Sequence, residues 1–276
     1  NMGIIAALMG RDDAIFADKL NHASLNDAAL LSRATLHRYA HQDLAQLEKL
    51  LKQSTAKRKL VVVDAVFSMD GDFAPVPELL VLCEQYDAYL LLDDAHGFGV
   101  LGKQGRGILD YFNVQSSRVI YMATLGKAAG VAGAFVGADA TIIDYLLQSA
   151  KTYIYTTASP PALAAALVKS VEVMRTDAER HQHLHSLIRL FKSELKLKKW
   201  QLMPSITAIQ PVLVGSNQSA LNLSQFLLAR GILVPAIRPP TVPKDTARLR
   251  VSISAAHTVE DVRQLINALH EAEETL

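Results

Sequence analysis

One cysteine and one tryptophan occur in 276 residues, and neither sign of charge is in excess. The single thiol, Cys83, rules out an internal disulfide framework and fits a reducing cytosol. It sits in ELLVLCEQY, on the apolar face of an expected helix, and reads as inert core. Twenty-eight Lys and Arg against 27 Asp and Glu leave a net charge of +1, so no strong field draws the chain to nucleic acid or to an anionic membrane. No apolar run reaches the length of a bilayer span. The opening NMGIIAALMGRDD lacks the basic start and cleavage site of a signal peptide. It reads as the tail of a helix whose beginning is missing, so the chain is expected to be an N-terminally incomplete, cytoplasmic fragment. Internal repeats and low-complexity tracts are missing as well.

What is present is core. Half of the residues are hydrophobic, enough for one large domain and a smaller one. Strand and helix patterns alternate through the first half. AIFADK (14–19) reads as a strand, and a helix capped at Ser24 runs to about Ser32. TLHRYAH (35–41) is strand-like, and Asp43 caps the helix LAQLEKLLK. KLVVVD runs into a turn-forming MDGD, and PVPELLVLCEQY (75–86) is a helix with a proline start. That rhythm predicts an α/β fold whose mostly parallel sheet carries crossover helices on both faces. VAGAFVGA (131–138) is a further strand, TIIDYLLQSAK a helix, and YIYTTASPP a passage from strand to loop. One long helical region spans roughly 162–198, followed by the strands IQPVLVG, ILVP and ARLRVSIS, a helix near 219–230 between the first two, and a last helix from Thr258. The reading divides the chain into a large domain, 1–165, and a smaller C-terminal α+β domain, 166–276.

Two segments carry chemistry. LLLDDAHG (90–97) feeds two carboxylates and a histidine off an apolar strand, and VIYMATLGKAAG (119–130) delivers a lysine from another. In open α/β sheets ligands bind beyond the carboxyl ends of the strands, where Asp93, His96 and Lys127 fall. Lys127 has no charged neighbour in sequence between Arg118 and Asp139, so it is expected to be buried with a weakened hold on its proton, as Schiff-base chemistry needs. A lysine of that kind with a strand-end acid suggests pyridoxal phosphate (PLP), which takes a Schiff-base lysine and an acid facing its pyridine nitrogen. One of Asp93 and Asp94 faces the cofactor while the other caps a helix or pairs with a base. His96 and His22 are imidazoles able to donate to a phenolic oxygen or to stack on a ring.

Other patterns carry less. GFGVLG (97–102) matches a dinucleotide fingerprint literally, but DDAH separates it from its strand and no acid follows at the required distance. His181, His183 and His185 do not share one helical face, and Arg180 and Arg189 disfavour a cation there, so no metal site is expected. RPPTVP (238–243) is rigid, and Arg238 and Arg250 are suited to bidentate carboxylate binding.

Together LNHASL (20–25), YAHQDLAQLEKLL (39–51), VFSMDGDFAPV (66–76), LLLDDAHGFGVLGKQGRG (90–107), TLGKAAGVAGAFV (124–136) and AIRPPTVPKDTARLRVSISAAHT (236–258) resemble the α-oxoamine synthases. These are PLP-dependent enzymes of transferase fold type I, the aspartate-aminotransferase type. The resemblance covers essentially the whole chain; family members carry an N-terminal section that precedes the part matched here. It implies Lys127 as the Schiff-base lysine, Asp93 at the pyridine nitrogen, His96 and Ser68 at the phenolic oxygen, and His22 stacked on the ring. It further implies Thr124, Thr156 and Thr157 at the phosphate, the last two reaching it from the neighbouring subunit of a homodimer. Arg250 would bind the amino-acid carboxylate, with Thr241 and Arg238 lining the substrate site. RPPTVP resembles the members that condense L-alanine with pimeloyl-CoA or pimeloyl carrier protein in biotin biosynthesis. The alternatives are a related synthase using glycine or another acyl-CoA, and a truncated chain that acts as a folding or interaction partner.

Overall fold

The computed structural model describes residues 1–276, which form two compact units. The first comprises residues 1–67 and 73–176, the second residues 68–72 and 177–276. The sequence pattern places a boundary at 165/166; the contacts divide at 176/177, because the helix that begins at Pro161 continues to Thr176.

The first unit opens with α1 (Met2–Leu8), β1 (Ala14–Asp18), α2 (Ala23–Ser32), β2 (Thr35–Tyr39), α3 (Leu44–Gln53) and β3 (Lys59–Asp64). It continues with α4 (Val76–Gln85), β4 (Tyr89–Asp93), a single 3-10 turn at 103–105, α5 (Ile108–Phe112), β5 (Val119–Thr124) and β6 (Ala134–Gly137). Helices α6 (Ala140–Ser149), α7 (Lys151–Ile154) and α8 (Pro161–Thr176) complete it. The strands form one sheet in the order β2-β1-β3-β4-β5-β6, parallel except for β6. Central strands buried on both faces read as continuous aliphatic runs. Ile15, Leu60, Val62, Leu91, Ile120 and Met122 pack with Ile4, Ile5, Leu25 and Leu146 of the helices on one face. Helices α3 and α4 lie against β1 and β4, and their Leu47, Leu51, Leu79 and Cys83 are buried. Burial pushes the Cys83 thiol up to about 12, which bears out the reading of an inert core residue.

Local chemistry sets the boundaries. Asp43 accepts from Gln46 N and starts α3. The cap of α2 is His22 rather than Ser24, because the imidazole Nδ1 accepts from Ser24 N. YIYTT does not form a strand: Tyr153 N and Ile154 N both bond Ala150 O, which winds one more turn after α6.

The second unit holds α9 (Ala178–Glu194), β7 (Gln201–Leu202), β8 (Ile209–Gly215), α10 (Asn217–Leu228), β9 (Ala236–Ile237), β10 (Ala247–Ser252) and α11 (Val259–Thr275). Its antiparallel sheet runs β7-β8-β10-β9. The expected helix over 162–198 is two helices, since the Asp177 side chain caps α9 at Arg180 N. ILVP (232–235) is not a strand, because the Ser224 hydroxyl takes the Val234 carbonyl and Pro235 has no N–H to offer. A capping box at Thr258 and Asp261 starts α11. No helix is long and apolar enough to cross a membrane.

Candidate active site

Three neighbouring strands, β1, β3 and β4, end on aspartates: Asp18, Asp64 and Asp93. All three are buried, and so is Asp94, the next residue on. A buried carboxylate is costly unless it is hydrogen-bonded, and each finds donors. Asp18 accepts from Leu20 N, Gln42 N and His41 Nδ1. Asp64 Oδ2 accepts from His22 N at 2.8 Å. Asp93 Oδ1 accepts from Ala95 N at 3.0 Å and Oδ2 from Asn1 Nδ2 at 2.6 Å.

The two adjacent acids divide their work. Asp94 Oδ2 accepts from Ile108 N and from the Tyr121 hydroxyl, each at 2.7 Å. It therefore starts α5 and ties it to β5. Burial pushes its carboxyl up to about 7. Gly97 and Gly107 leave it room, since a Cβ at either would strike its carboxyl oxygens, and Gly107 has φ +95°. Gly97 and Gly107, the two ends of GFGVLGKQGRG, thus close over a carboxyl group. Asp93 is left as the acid at the strand end that is not spent on a helix cap.

Lys127 stands in a loop between β5 and β6, folded by Leu125 N to Gly133 O and Gly130 N to Lys127 O. Its Nζ lies 3.0 Å from His96 Nε2. The expectation of a buried amine is corrected: Lys127 is exposed in this chain. Its apolar neighbours in sequence lie in the same short loop at the sheet's edge and do not cover it. Thr124, the last residue of β5, has a buried hydroxyl with no hydrogen-bond partner. A buried hydroxyl left in that state is a site awaiting a donor or acceptor.

His22 joins this edge from the β1–α2 loop. Its Nδ1 accepts from Ser24 N at 3.2 Å and lies 2.8 Å from Ser24 Oγ. Asn1 Nδ2 donates to Ser24 Oγ at 2.8 Å as well as to Asp93. The same unit carries Thr156 and Thr157, exposed after α7, where neither makes a hydrogen bond to the Lys127 loop. A cleft of about 440 Å³ lies alongside β6, lined by Asn1, Ile4, Met122, Phe135 and Tyr153 among others, and none of the expected cofactor ligands borders it.

The remaining candidates belong to the second unit. Arg250 Nε donates to Ser68 O at 2.5 Å and its guanidinium also reaches Ser252 Oγ at 3.0 Å. Burial lowers the hold of that guanidinium on its proton. Arg248 pairs with Asp70. Arg238 and Thr241 are exposed and close the Pro-Pro turn through Thr241 N to Arg238 O. His181 and His185 meet on one face of α9 while His183 turns away to His257 O, as spacings of four and two dictate.

Three participants escaped the sequence reading: Asn1, Asn21 and Asp64. The signal for Asp64 was present in the recurrence of an apolar run closed by aspartate, AIFAD, KLVVVD and LLLDD; Asn1 and Asn21 carry no such pattern.

With this geometry the chain belongs to the aminotransferase class I and II family, whose model matches residues 1–269. It is 65% identical over 274 residues to an 8-amino-7-oxononanoate synthase of Methylobacillus flagellatus, covering 99% of this chain and 69% of that relative. Among solved structures it is similar to an 8-amino-7-oxononanoate synthase from Francisella tularensis, with a TM-score of 0.84 and 32% identity over 100% of this chain and 80% of that one. It is also similar to a serine palmitoyltransferase from S. paucimobilis with a bound PLP–myriocin aldimine, with a TM-score of 0.94 and 29% identity over 99% of this chain and 70% of that one.

Proposed function

We propose that this chain is a PLP-dependent acyltransferase that condenses L-alanine with pimeloyl-CoA or pimeloyl carrier protein, giving 8-amino-7-oxononanoate, CoA or free carrier, and carbon dioxide. The observation that supports it most is the meeting of Lys127 with His96 at the end of β5, one strand from the buried Asp93 at the end of β4. The donor set fits PLP. Lys127 is the amine that holds its aldehyde, Asp93 is the acid for its ring nitrogen, and the unpartnered Thr124 hydroxyl suits its phosphate. His22 and His96 serve its ring face and its phenolic oxygen. When bound, PLP supplies an electron-withdrawing ring that stabilises negative charge at the amino-acid α-carbon.

The chain's own residues do the rest. Asp93 would stand at the ring nitrogen, where a carboxylate favours the protonated form of that nitrogen. Lys127, as a free amine, would take the proton from the alanine α-carbon and return one after carbon dioxide leaves. His96, within hydrogen-bond reach of Nζ, steadies that amine. In the second unit, Arg250 is the proposed ligand for the amino-acid carboxylate, and Arg238 and Thr241 are proposed substrate contacts.

The proposed assembly is a homodimer. Tyr153, Tyr155 and Val168 are 64%, 81% and 72% exposed, and α8 buries no residue within its own chain. Exposed apolar surface on that scale marks an interaction face.

The test is an absorption titration of the purified chain with PLP, followed by alanine, glycine and serine, and a product assay with pimeloyl-CoA. A spectral response and product with alanine alone support the assignment. A response to glycine or serine with a different acyl-CoA would move it to a sister synthase. A protein that ignores PLP would leave the non-catalytic reading.

A further inference from the structure

Asp64 closes β3 and has Asp93 as its register neighbour on β4. Both carboxyls are buried. Burial, and after it the charge of Asp93, raise the Asp64 carboxyl well above the ordinary carboxylate range, because two adjacent carboxylates are not easily ionised together in a low dielectric.

The β1–α2 loop is pinned to this spot. Asn21 Nδ2 donates to Val62 O at 2.8 Å and Asn21 Oδ1 accepts from Asp64 N at 3.1 Å. The carboxamide thus occupies the backbone groups of β3 as a neighbouring strand would. The next N–H along, that of His22, goes to Asp64 Oδ2. The imidazole is fixed at its other end as well. Ser24 N–H only donates, so Nδ1 must accept and the ring proton is confined to Nε2. Ser24 Oγ, in turn, accepts from the Asn1 carboxamide that also bonds Asp93. A continuous path of hydrogen bonds therefore runs Asp64, His22, Ser24, Asn1, Asp93.

We propose that Asp64 is the positioning residue for His22: by holding its backbone N–H at the end of β3, Asp64 sets the place and the tautomer in which the imidazole meets the cofactor. The assignment deepens the PLP reading of this site and rests on it for the word cofactor. Asp64 acts through His22 and its neighbour Asn21, and needs only a hydrogen-bond acceptor to do so. A neutral carboxamide at position 64 retains the function, while an apolar side chain of the same bulk loses it.

Asp64→Asn and Asp64→Leu separate the two requirements, and His22→Ala supplies the background. Amide exchange at His22 and the 15N shifts of its ring are read on the full chain without PLP; PLP affinity is read by absorbance. Asp64→Asn should leave the His22 amide protected, the Nε2–H tautomer intact and PLP affinity within about twofold, since its oxygen still accepts. Asp64→Leu should speed His22 exchange by about tenfold, as loss of one part-buried hydrogen bond implies, mix the tautomers and weaken PLP about fivefold. In the His22→Ala background the Leu substitution should add no more than about twofold. The proposal is overturned if Asp64→Leu leaves exchange and tautomer unchanged, if it weakens PLP equally with and without His22, or if Asp64→Asn already frees the His22 amide. The last arm decides the matter even where Asp64→Leu does not fold. Absence of PLP binding by the unsubstituted chain would instead sink the reading of the site, with the exchange data unaffected.

Discussion

Lys127 Nζ and His96 Nε2 stand 3.0 Å apart, although 31 residues separate them in the chain. The contact exists because β4 and β5 are adjacent and parallel, so both loops leave the same edge of the sheet. A lysine at that edge is a replaceable amine only if its chemistry is unique there. Lys127→Ala should therefore abolish the near-visible absorbance that the chain develops with PLP and lower turnover by about 10³-fold or more. A mutant that keeps the band would eliminate Lys127 as the holding amine.

Asp93 meets the site through a carboxyl already bonded by Ala95 N and Asn1 Nδ2. Asp93→Asn keeps the shape and removes the charge. PLP should still bind, but wash-out of the alanine α-proton into D2O, followed by proton NMR, should slow by about 10²-fold. An unchanged exchange rate would count against a role at the ring nitrogen.

The sequence made the strand ends legible because a parallel sheet buried on both faces has to write its strands as aliphatic runs, and an acid ending such a run is conspicuous. LLLDD did not reveal which acid was which. That depended on Ile108 N and Tyr121 Oη, 14 and 27 residues away, arriving at Asp94. The burial of Lys127 was misjudged for a related reason: apolar neighbours in sequence cover a side chain only when they fold over it. YIYTT reads as a strand by composition, yet the carbonyl of Ala150 captures Tyr153 and Ile154 and makes a turn of helix. The break at Asp177 was hidden because α8 and α9 abut, and only the cap at Arg180 N separates them.

Asp94 gives the stability of the chain a pH dependence of known sign. Its carboxyl is raised to about 7 in the folded state, above its unfolded value, so the folded state binds the extra proton between the two. The stabilisation is complete below about pH 4 and is lost as pH rises through about 7, to an extent on the order of 4 kcal/mol. Asp94→Asn keeps an oxygen for Ile108 N and the Tyr121 hydroxyl and cannot titrate. Urea unfolding at pH 5 and pH 8 should show a smaller loss in the variant than in the parent chain. Equal losses would mean that the Asp94 carboxyl is ionised in the folded protein without penalty.

Val168 tests the proposed assembly without touching the core. It is 72% exposed on α8, a helix with no buried residue, so within one chain it contributes little to stability, and a polar replacement there should cost at most about 0.5 kcal/mol. If α8 and the exposed tyrosines Tyr153 and Tyr155 face a second copy, Val168→Glu places a charge in an apolar interface on both sides at once. Sedimentation velocity should then show a dimer for the parent chain and a monomer for the variant, with the thermal midpoint of the isolated monomer unchanged. PLP affinity should fall together with dimerisation, because Thr156 and Thr157 would no longer be supplied from the neighbouring subunit. A variant that stays dimeric would exclude this face, and a monomer that binds PLP as tightly as the parent would show that each chain holds its phosphate with its own Thr124.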